Sequence, residues 1–382
     1  MRKRKSYQYP WRENNTFQVL VDGTEYFSSM LDSIKNSNNT ILLEDYLFES
    51  GKTADFFIEE LCLASKRDVK VFVLLDEYGT KGLSEEDKNT LKTSGVELLL
   101  YNPASLFHFG KSLKRDHRKL LIVDNHTAFI GGAGITDEFT PDVSNDYWHD
   151  VMLKIDGDIV FDLIDSFNDI WKKEKQSLQI FYSQTKPSAK DSKNKARILI
   201  SEGAEKNEII RSVINRVRSS KERIWLTSPY FISSWKIRRA LRYAAKKGVD
   251  VRLIFPGPHS DHKWVTYGIQ RYYRRLLKSN VAVYEFQPRF THAKIVLCDD
   301  WYTLGSSNFD LWNQFLNLDA NIEIYDPPSH KQIVDLFEAD FSKSTLITLK
   351  KWSARSFVQH LKEHISGVMI RILTFISSKF RR

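Results

Sequence analysis

The feature that most constrains this chain is an internal repeat. In the first half, Ile41-Leu42-Leu43-Glu44-Asp45-Tyr46-Leu47-Phe48 precedes a helical stretch ending in Ala64-Ser65-Lys66-Arg67, and an apolar run from Val69 to Leu75 follows. In the second half, Ile224-Trp225-Leu226-Thr227-Ser228-Pro229-Tyr230-Phe231 precedes a helical stretch ending in Ala244-Ala245-Lys246-Lys247-Gly248, and then comes Val249 to Phe255. Both passages read as strand, helix, strand, which implies parallel pairing across a helical crossover. Each half continues to a strand (96–101; 281–286), a His-x-Lys strand with a glycine turn, and a closing helix (159–173; 329–341). The expected fold class is α/β, with two pseudo-symmetric α/β/α sandwich halves sharing one active site at their interface. The expected boundaries are a basic arm (1–15), a first half (16–182), a polar linker (183–196), a second half (197–345) and a basic tail (346–382).

The charge narrows the partners. A net charge of +9 favours an anionic partner, either nucleic acid or an acidic membrane surface. With 42% hydrophobic residues the chain can bury a core, which excludes a disordered class. The two cysteines, Cys62 and Cys298, sit in apolar runs and suggest buried thiols in a reducing compartment, with no disulfide framework. No apolar run reaches the ~18 residues that a spanning helix needs.

The chemistry sits in a doubled motif. His117-Arg118-Lys119 is followed by four apolar residues, Asp124, and then Gly131-Gly132. His292-Ala293-Lys294 is followed by four residues, Asp299, and then Gly305-Ser306-Ser307-Asn308. On a strand, His and Lys two apart share a face, and a glycine turn brings backbone close to a ligand. A phosphodiester is an anion, so its attacker should be neutral and its leaving alkoxide needs a proton. One neutral imidazole suits the attack and one imidazolium suits the protonation. Lys119 and Lys294, with Asn308 and the Ser306 hydroxyl, are expected to hold the non-bridging oxygens. Asp150 and Asp319 are candidates to orient the histidines. Asp124 and Asp299 complete the candidate catalytic set, with a structural role as partners of basic residues left open. Nothing in the pattern requires a metal or another cofactor, since Lys is a poor metal ligand.

These residues resemble the phospholipase D superfamily, whose signature is His-x-Lys-x4-Asp and a glycine turn, present twice. The resemblance spans roughly residues 16 to 345. It is nearest to bacterial cardiolipin synthases, through Leu43 to Glu49, Phe129-Ile130-Gly131-Gly132, Thr227 to Phe231, Tyr284 to Pro288, Gly305 to Asp310 and Asn317 to Asn321. Such enzymes commonly begin with two transmembrane helices, and this chain is more like the short branch that starts at the catalytic region. The resemblance implies phosphatidyl transfer without a metal, typically between two phosphatidylglycerol molecules. By that analogy His117 is the nucleophile and His292 the acid/base. One departure stands out: Gly134 occupies the place where the family usually has Asn, so it is not expected to bind a ligand.

Two readings of the surface follow. Phe357, Leu361, Ile365, Val368, Ile372 and Ile376 recur at helical spacing among Lys362, Arg371, Lys379, Arg381 and Arg382, as in an interfacial amphipathic helix. The alternative is that this stripe packs on the core. The arm Arg2-Lys3-Arg4-Lys5 with Trp11 has the same two readings, membrane contact or a solvated tail. Lys263 to Arg275 mixes aromatics with arginine, either to grip lipid headgroups or nucleic acid, or simply as a helix with Tyr and Leu inward. The other histidines, His149 among them, have no motif support. The leading expectation is a phosphatidyltransferase acting on anionic phospholipids, with no nucleic acid, peripheral on the cytoplasmic face of a bacterial cell membrane. A hydrolase using the same histidines, either phospholipase or nuclease, is the alternative, and a non-catalytic lipid-binding module is the third reading.

Overall fold

The computed structural model describes residues 7–103, 114–174, 194–203, 206–310 and 316–379, with 173, 174, 371 and 373–379 described by backbone alone. The Arg2–Lys5 cluster, linker residues 183–193, Arg381 and Arg382, and the side chains of Arg371, Ile376 and Lys379 lie outside the described residues.

The first half runs β1 (Asn15–Val21), α1 (Asp22–Lys35), β2 (Thr40–Asp45), α2 (Lys52–Lys66), β3 (Lys70–Asp76), α3 (Glu85–Thr93) and β4 (Glu97–Tyr101). It closes with β5 (Leu120–Val123), β6 (Thr127–Gly131), β7 (Val151–Gly157) and α4 (Ile159–Glu174). The second half runs β8 (Lys195–Glu202), β9 (Lys206–Asn207), α5 (Glu208–Ser219), β10 (Arg223–Thr227), α6 (Trp235–Lys246) and β11 (Asp250–Pro256). Then come α7 (Lys263–Gln270), α8 (Tyr273–Leu277), β12 (Ala282–Phe286), β13 (Ile295–Cys298), β14 (Trp301–Gly305), β15 (Leu318–Tyr325) and α9 (Pro327–Ser342). After it lie β16 (Ser344–Ile347), α10 (Leu349–Ser353) and α11 (Phe357–Lys379).

The repeat holds at the level of strand order. One sheet reads β1-β7-β6-β5-β2-β3-β4, and the core of the other reads β8-β15-β14-β13-β10-β11-β12, with β9 and β16 added at the edges. In both, the strand–helix–strand passage pairs in parallel (β2 with β3; β10 with β11) and the motif strand pairs antiparallel to it (β5; β13). Strands such as β2, buried at every position, have helices or the partner sheet on both faces, which is why they read as continuous apolar runs. Helices α1 to α3 cover the outer face of the first sheet, and α5 to α8 that of the second. Between the sheets a single core draws on both halves, including Phe167 and Trp171 of α4 and Ile333, Phe337 and Phe341 of α9. Asp326 caps α9 by accepting from Ser329 N at 2.9 Å, and Pro327 starts it without losing a hydrogen bond.

Several expected boundaries move. Part of the expected arm belongs to the folded body: Tyr9 is buried with its hydroxyl on Asp165, and Arg12 pairs with Asp162 at 2.7 Å. Trp11 packs against Tyr325 and under Lys195 and Arg197, so it is engaged by the protein itself. Lys195 and Ala196, placed in the linker by their polar neighbours, open β8 and pair with β15. The tail begins later than residue 346, since Ser344–Ile347 adds a strand beside β12. In the segment 263–275, Val265, Ile269 and Tyr273 are buried and Arg274 and Arg275 exposed. Both cysteines are free and buried, and no described helix is long and apolar enough to cross a membrane.

Candidate active site

The motif residues do not lie on strands. His117 and Lys119 precede β5, and His292 and Lys294 precede β13, in extended segments whose backbone groups bond to the opposite half. His117 N donates to Leu318 O at 2.9 Å and Leu318 N to Arg115 O at 2.8 Å. Symmetrically, His292 N donates to His149 O at 2.7 Å and His149 N to Phe290 O at 2.8 Å. Each histidine is therefore stitched to the segment carrying the other half's orienting aspartate.

The side chains follow this crossing. Nδ1 of His117 lies 3.0 Å from Asp319 Oδ1, and Nδ1 of His292 lies 2.6 Å from Asp150 Oδ2. A carboxylate accepts, so each Nδ1 carries the proton and each Nε2 keeps its lone pair. All four residues are buried. Lys119 Nζ donates to His117 O at 2.8 Å, and Lys294 Nζ donates to His292 O at 2.6 Å.

Burial and cation crowding set the charges. Burial, reinforced by Lys119, lowers the His117 imidazole to about 4 despite Asp319. Burial, reinforced by Lys294, lowers His292 to about 3 despite Asp150. Burial takes Lys294 down to about 7, against Asp150. Lys119 is lowered by burial too, although Asp45, Asp319 and Asp150 pull the other way. Asp150 is held below the ordinary carboxylate range, because Lys294 and His292 outweigh the burial that opposes them. The site thus holds two neutral imidazoles and more cationic character than it can readily solvate. An oxyanion placed there would relieve both conditions.

The half-sites differ at the glycine turns. Ser306 Oγ donates to Asp319 Oδ1 at 2.8 Å and accepts from Ala320 N at 3.2 Å. Its hydroxyl proton is spent on the orienting carboxylate, which corrects the expectation that Ser306 cradles phosphate. Gly132 is its counterpart, one residue beyond the matching strand. A Cβ there would meet Asp150 at 2.6 Å and Lys294 Nζ at 2.9 Å. Asn308 is buried, and its Oδ1 has no partner among the described residues. Its counterpart Gly134 has no room for an amide, since a Cβ would meet Leu47 O at 2.6 Å.

Asp124 and Asp299 require a correction. Four strand residues separate each from its lysine, so it lies at the far end of the motif strand, on the order of 15 Å along the chain. Asp124 accepts from the backbone N–H of Asn38, Asn39 and Thr40, and Asp299 from those of Lys221, Glu222 and Arg223. Each carboxylate ties the turn after its strand to the loop that opens β2 or β10. Their partners are amides, not the basic side chains expected. Both aspartates have positive φ, 51° and 53°, which Asp tolerates in a tight turn.

Sequence reasoning missed three groups. His149, treated as ordinary, is buried between Asp22 at 2.8 Å and Asp340 at 3.2 Å, carboxylates from opposite halves. These carboxylates overcome burial and raise it to about 10, so it is a cation next to Asp150 in sequence. Its place beside a candidate carboxylate was the available signal. Arg118, the variable residue of the first motif, ties Asp116 to Glu44 of β2, whereas Ala293 simply fills the core. Aromatic rings also flank the imidazoles: Tyr46 lies 5.0 Å from His117, and Trp148, Phe139 and Phe290 lie within 5.9 Å of His292.

Residues 30–171 and 213–343 match the family described as cardiolipin synthase, phospholipase D-like domain. Cardiolipin synthase B of Escherichia coli (strain K12) is 30% identical over 83% of this chain and 78% of its own length. A cardiolipin synthase of Clostridium perfringens (strain 13 / Type A) is 28% identical over 94% and 77%. The crystal structure of phosphatidylserine synthase from Haemophilus influenzae Rd KW20 superposes with a TM-score of 0.72 over 95% of this chain and 94% of that one, at 14% identity, a likeness of fold. With that family matched over both halves, the chain belongs to the cardiolipin synthase family of phospholipase D-type phosphatidyltransferases.

Proposed function

We propose that this enzyme makes cardiolipin from phosphatidylglycerol, or another phospholipid donor, through a phosphohistidine intermediate. The observation that carries the reading is the crossed pairing: each imidazole has its Nδ1 fixed by the other half's aspartate, which leaves Nε2 as its reactive nitrogen. In the first step His117 Nε2 attacks phosphorus, and the P–O bond to the glycerol headgroup breaks as His292 supplies the proton to the leaving oxygen. In the second step the hydroxyl of another phosphatidylglycerol gives its proton to His292 and attacks phosphorus, and the P–N bond breaks. The assignment of roles rests on Lys294, whose Nζ lies 3.2 Å from His292 Nε2 and 3.0 Å from its Nδ1. An amine with a pKa near 7 beside that ring hands a proton to it and takes one back, and it engages the lone pair an attack would need. The bound phosphodiester offsets Lys119 and Lys294, which raises the depressed imidazoles and lets one of them hold a proton.

The membrane surface is the second part of this proposal. Helix α11 docks on α7 through Glu363, Ser366 and Ile370, which are buried, with Gly367 against Arg271 and Gln359 bonded to Gln270 at 2.8 Å. Phe357, Leu361, Ile365, Val368 and Ile372 remain exposed. The stripe that would have filled a core faces outward, and the smaller, more polar side faces the protein. Such a face beside a chain of net charge +9 fits peripheral binding to the cytoplasmic face of an anionic bacterial membrane.

Labelled phosphatidylglycerol vesicles with a chelator present, followed by lipid separation, test the reaction. Cardiolipin and glycerol are expected; phosphatidic acid would make the enzyme a hydrolase, and no product would refute both. For the surface, Leu361→Gln with Ile365→Gln should weaken vesicle binding while the chain keeps its melting temperature.

A further inference from the structure

A second anion site lies on the outer helices of the second half, apart from the two histidines. Helices α6 and α8 and the turn between α7 and α8 border an open cavity of about 330 Å³, lined by Trp235, Arg238, Arg239, Arg242, Tyr272, Arg275 and the buried Leu276. Arg238, Arg239 and Arg242 come from adjacent positions of one helix, and Arg275 faces them from the other. Four guanidinium groups lining one cavity repel each other unless an anion joins them. Their present partners are neutral: Arg238 lies over the Tyr272 ring at 4.0 Å and donates to Ser233 O, Arg239 lies 5.6 Å from the Trp235 ring, and Arg242 Nε donates to Ser279 Oγ at 3.2 Å. Among the described residues no carboxylate forms an ion pair with any of the four. Elsewhere the chain pairs such groups, as in Arg12 with Asp162 or Arg355 with Glu363. Burial holds Arg238 below its ordinary value, against Tyr272 and with smaller help from Arg275 and Arg271.

We infer that this cavity binds the phosphate of an anionic phospholipid headgroup as an accessory site distinct from the catalytic pair. A planar guanidinium fork matches phosphate oxygens in pairs, so four of them suit one phosphate better than four ammonium groups would. The surroundings favour a lipid as the source. Trp235 at the rim is 58% exposed, an indole at the position where a membrane interface accepts one. The neighbouring α7–α8 turn carries Arg271, which packs on Gly367 of the helix that exposes the apolar face. Headgroup capture and apolar insertion then act on one surface.

The test uses the full chain and binding as its readout, which does not depend on turnover by His117 and His292. Arg239→Gln/Arg242→Gln is compared with Lys66→Gln/Lys92→Gln, an equal charge change on exposed helix positions of the first half. Both are floated with phosphatidylcholine vesicles with and without phosphatidylglycerol. The arginine pair should bind the anionic vesicles at least about tenfold more weakly than wild type, and the lysine pair within about twofold. Arg275→Gln, on the facing helix, should weaken binding as well, which guards against a local loss of α6. Equal losses in the arginine and lysine pairs would reduce the effect to diffuse charge and overturn the site, as would no loss at all. Titration with glycerol 1-phosphate separates the sources. If it binds wild type and not the arginine pair while vesicle binding is unchanged, the ligand is a water-soluble phosphoester and the lipid assignment falls.

Discussion

The His117 and His292 half-sites share a backbone and differ in how each orienting carboxylate is held. Asp319, which serves His117, takes a hydrogen bond from Ser306. Asp150, which serves His292, has a glycine beside it and takes Val151 N at 2.7 Å, with Lys294 at 3.8 Å. The space a side chain would fill at Gly132 is where Lys294 reaches both Asp150 and the His292 ring. At His117 the lysine instead lies over Tyr46, 5.0 Å from the ring centre. Symmetry delivers two identical tools, and two turn residues make them unlike. A neutral hydroxyl fixes one carboxylate without adding charge, while an ammonium beside the other adds a movable proton.

That contrast is open to breakage in order of effect. His117→Ala and His292→Ala should each lower turnover by about 10³-fold or more. With a phosphodiester that has a good leaving group, acid quenching should trap a phosphoenzyme in His292→Ala and none in His117→Ala; the reverse pattern would exchange the two roles. Asp150→Asn should cost roughly 10²-fold in kcat and Asp319→Asn less, because the first change also strips Lys294 of its carboxylate while Ser306 still supports the second. Equal losses would show that Lys294 does not distinguish the sites. Gly132→Ser should lower kcat by about tenfold by displacing Lys294, whereas Ser306→Gly, which removes one hydrogen bond, should cost about fivefold.

Smaller effects separate chemistry from scaffold. Asp124→Ala and Asp299→Ala should each lower unfolding stability by about 1–3 kcal/mol, read in denaturant, since each leaves three amide groups without their acceptor. A loss of kcat larger than the loss of folded protein would return them to the catalytic set. Stability should also fall on both sides of neutrality. His117 and His292 have folded values of about 4 and 3, so the unfolded chain gains protons first and stability drains as pH falls from about 6.5 toward those values. His149 has a folded value of about 10, so its contribution is complete below about 6.5 and is lost as pH rises through 10. In His149→Gln the alkaline slope should flatten, and an unchanged slope would remove His149 as its source.

Much of the frame was legible because it depends on local periodicity. Apolar runs marked β2, β3, β10 and β11, and the strand–helix–strand repeat implied their parallel pairing in both halves. A glycine turn followed each motif at a similar spacing, and the carboxylates at 150 and 319 recurred downstream in both halves. What failed was any reading that needed a partner distant in sequence. Lys195 and Ala196 looked like linker because their strand is recruited by β15, more than 120 residues away. For the apolar stripe of α11 the outward reading was preferred and the inward one stayed open, since periodicity gives a face and not its direction.

The amino-acid order alone determined the doubled fold, the two imidazoles and two lysines, and the kind of anion they suit, because strand and helix patterning and side-chain chemistry are local properties. Only the folded chain decided which aspartate serves which histidine, that Asp124 and Asp299 bind loops, and that His149 is a charged brace between Asp22 and Asp340. Those outcomes depend on segments separated by up to about 200 residues meeting in a dry interior, where one hydrogen bond or one neighbouring charge resets a side chain's role.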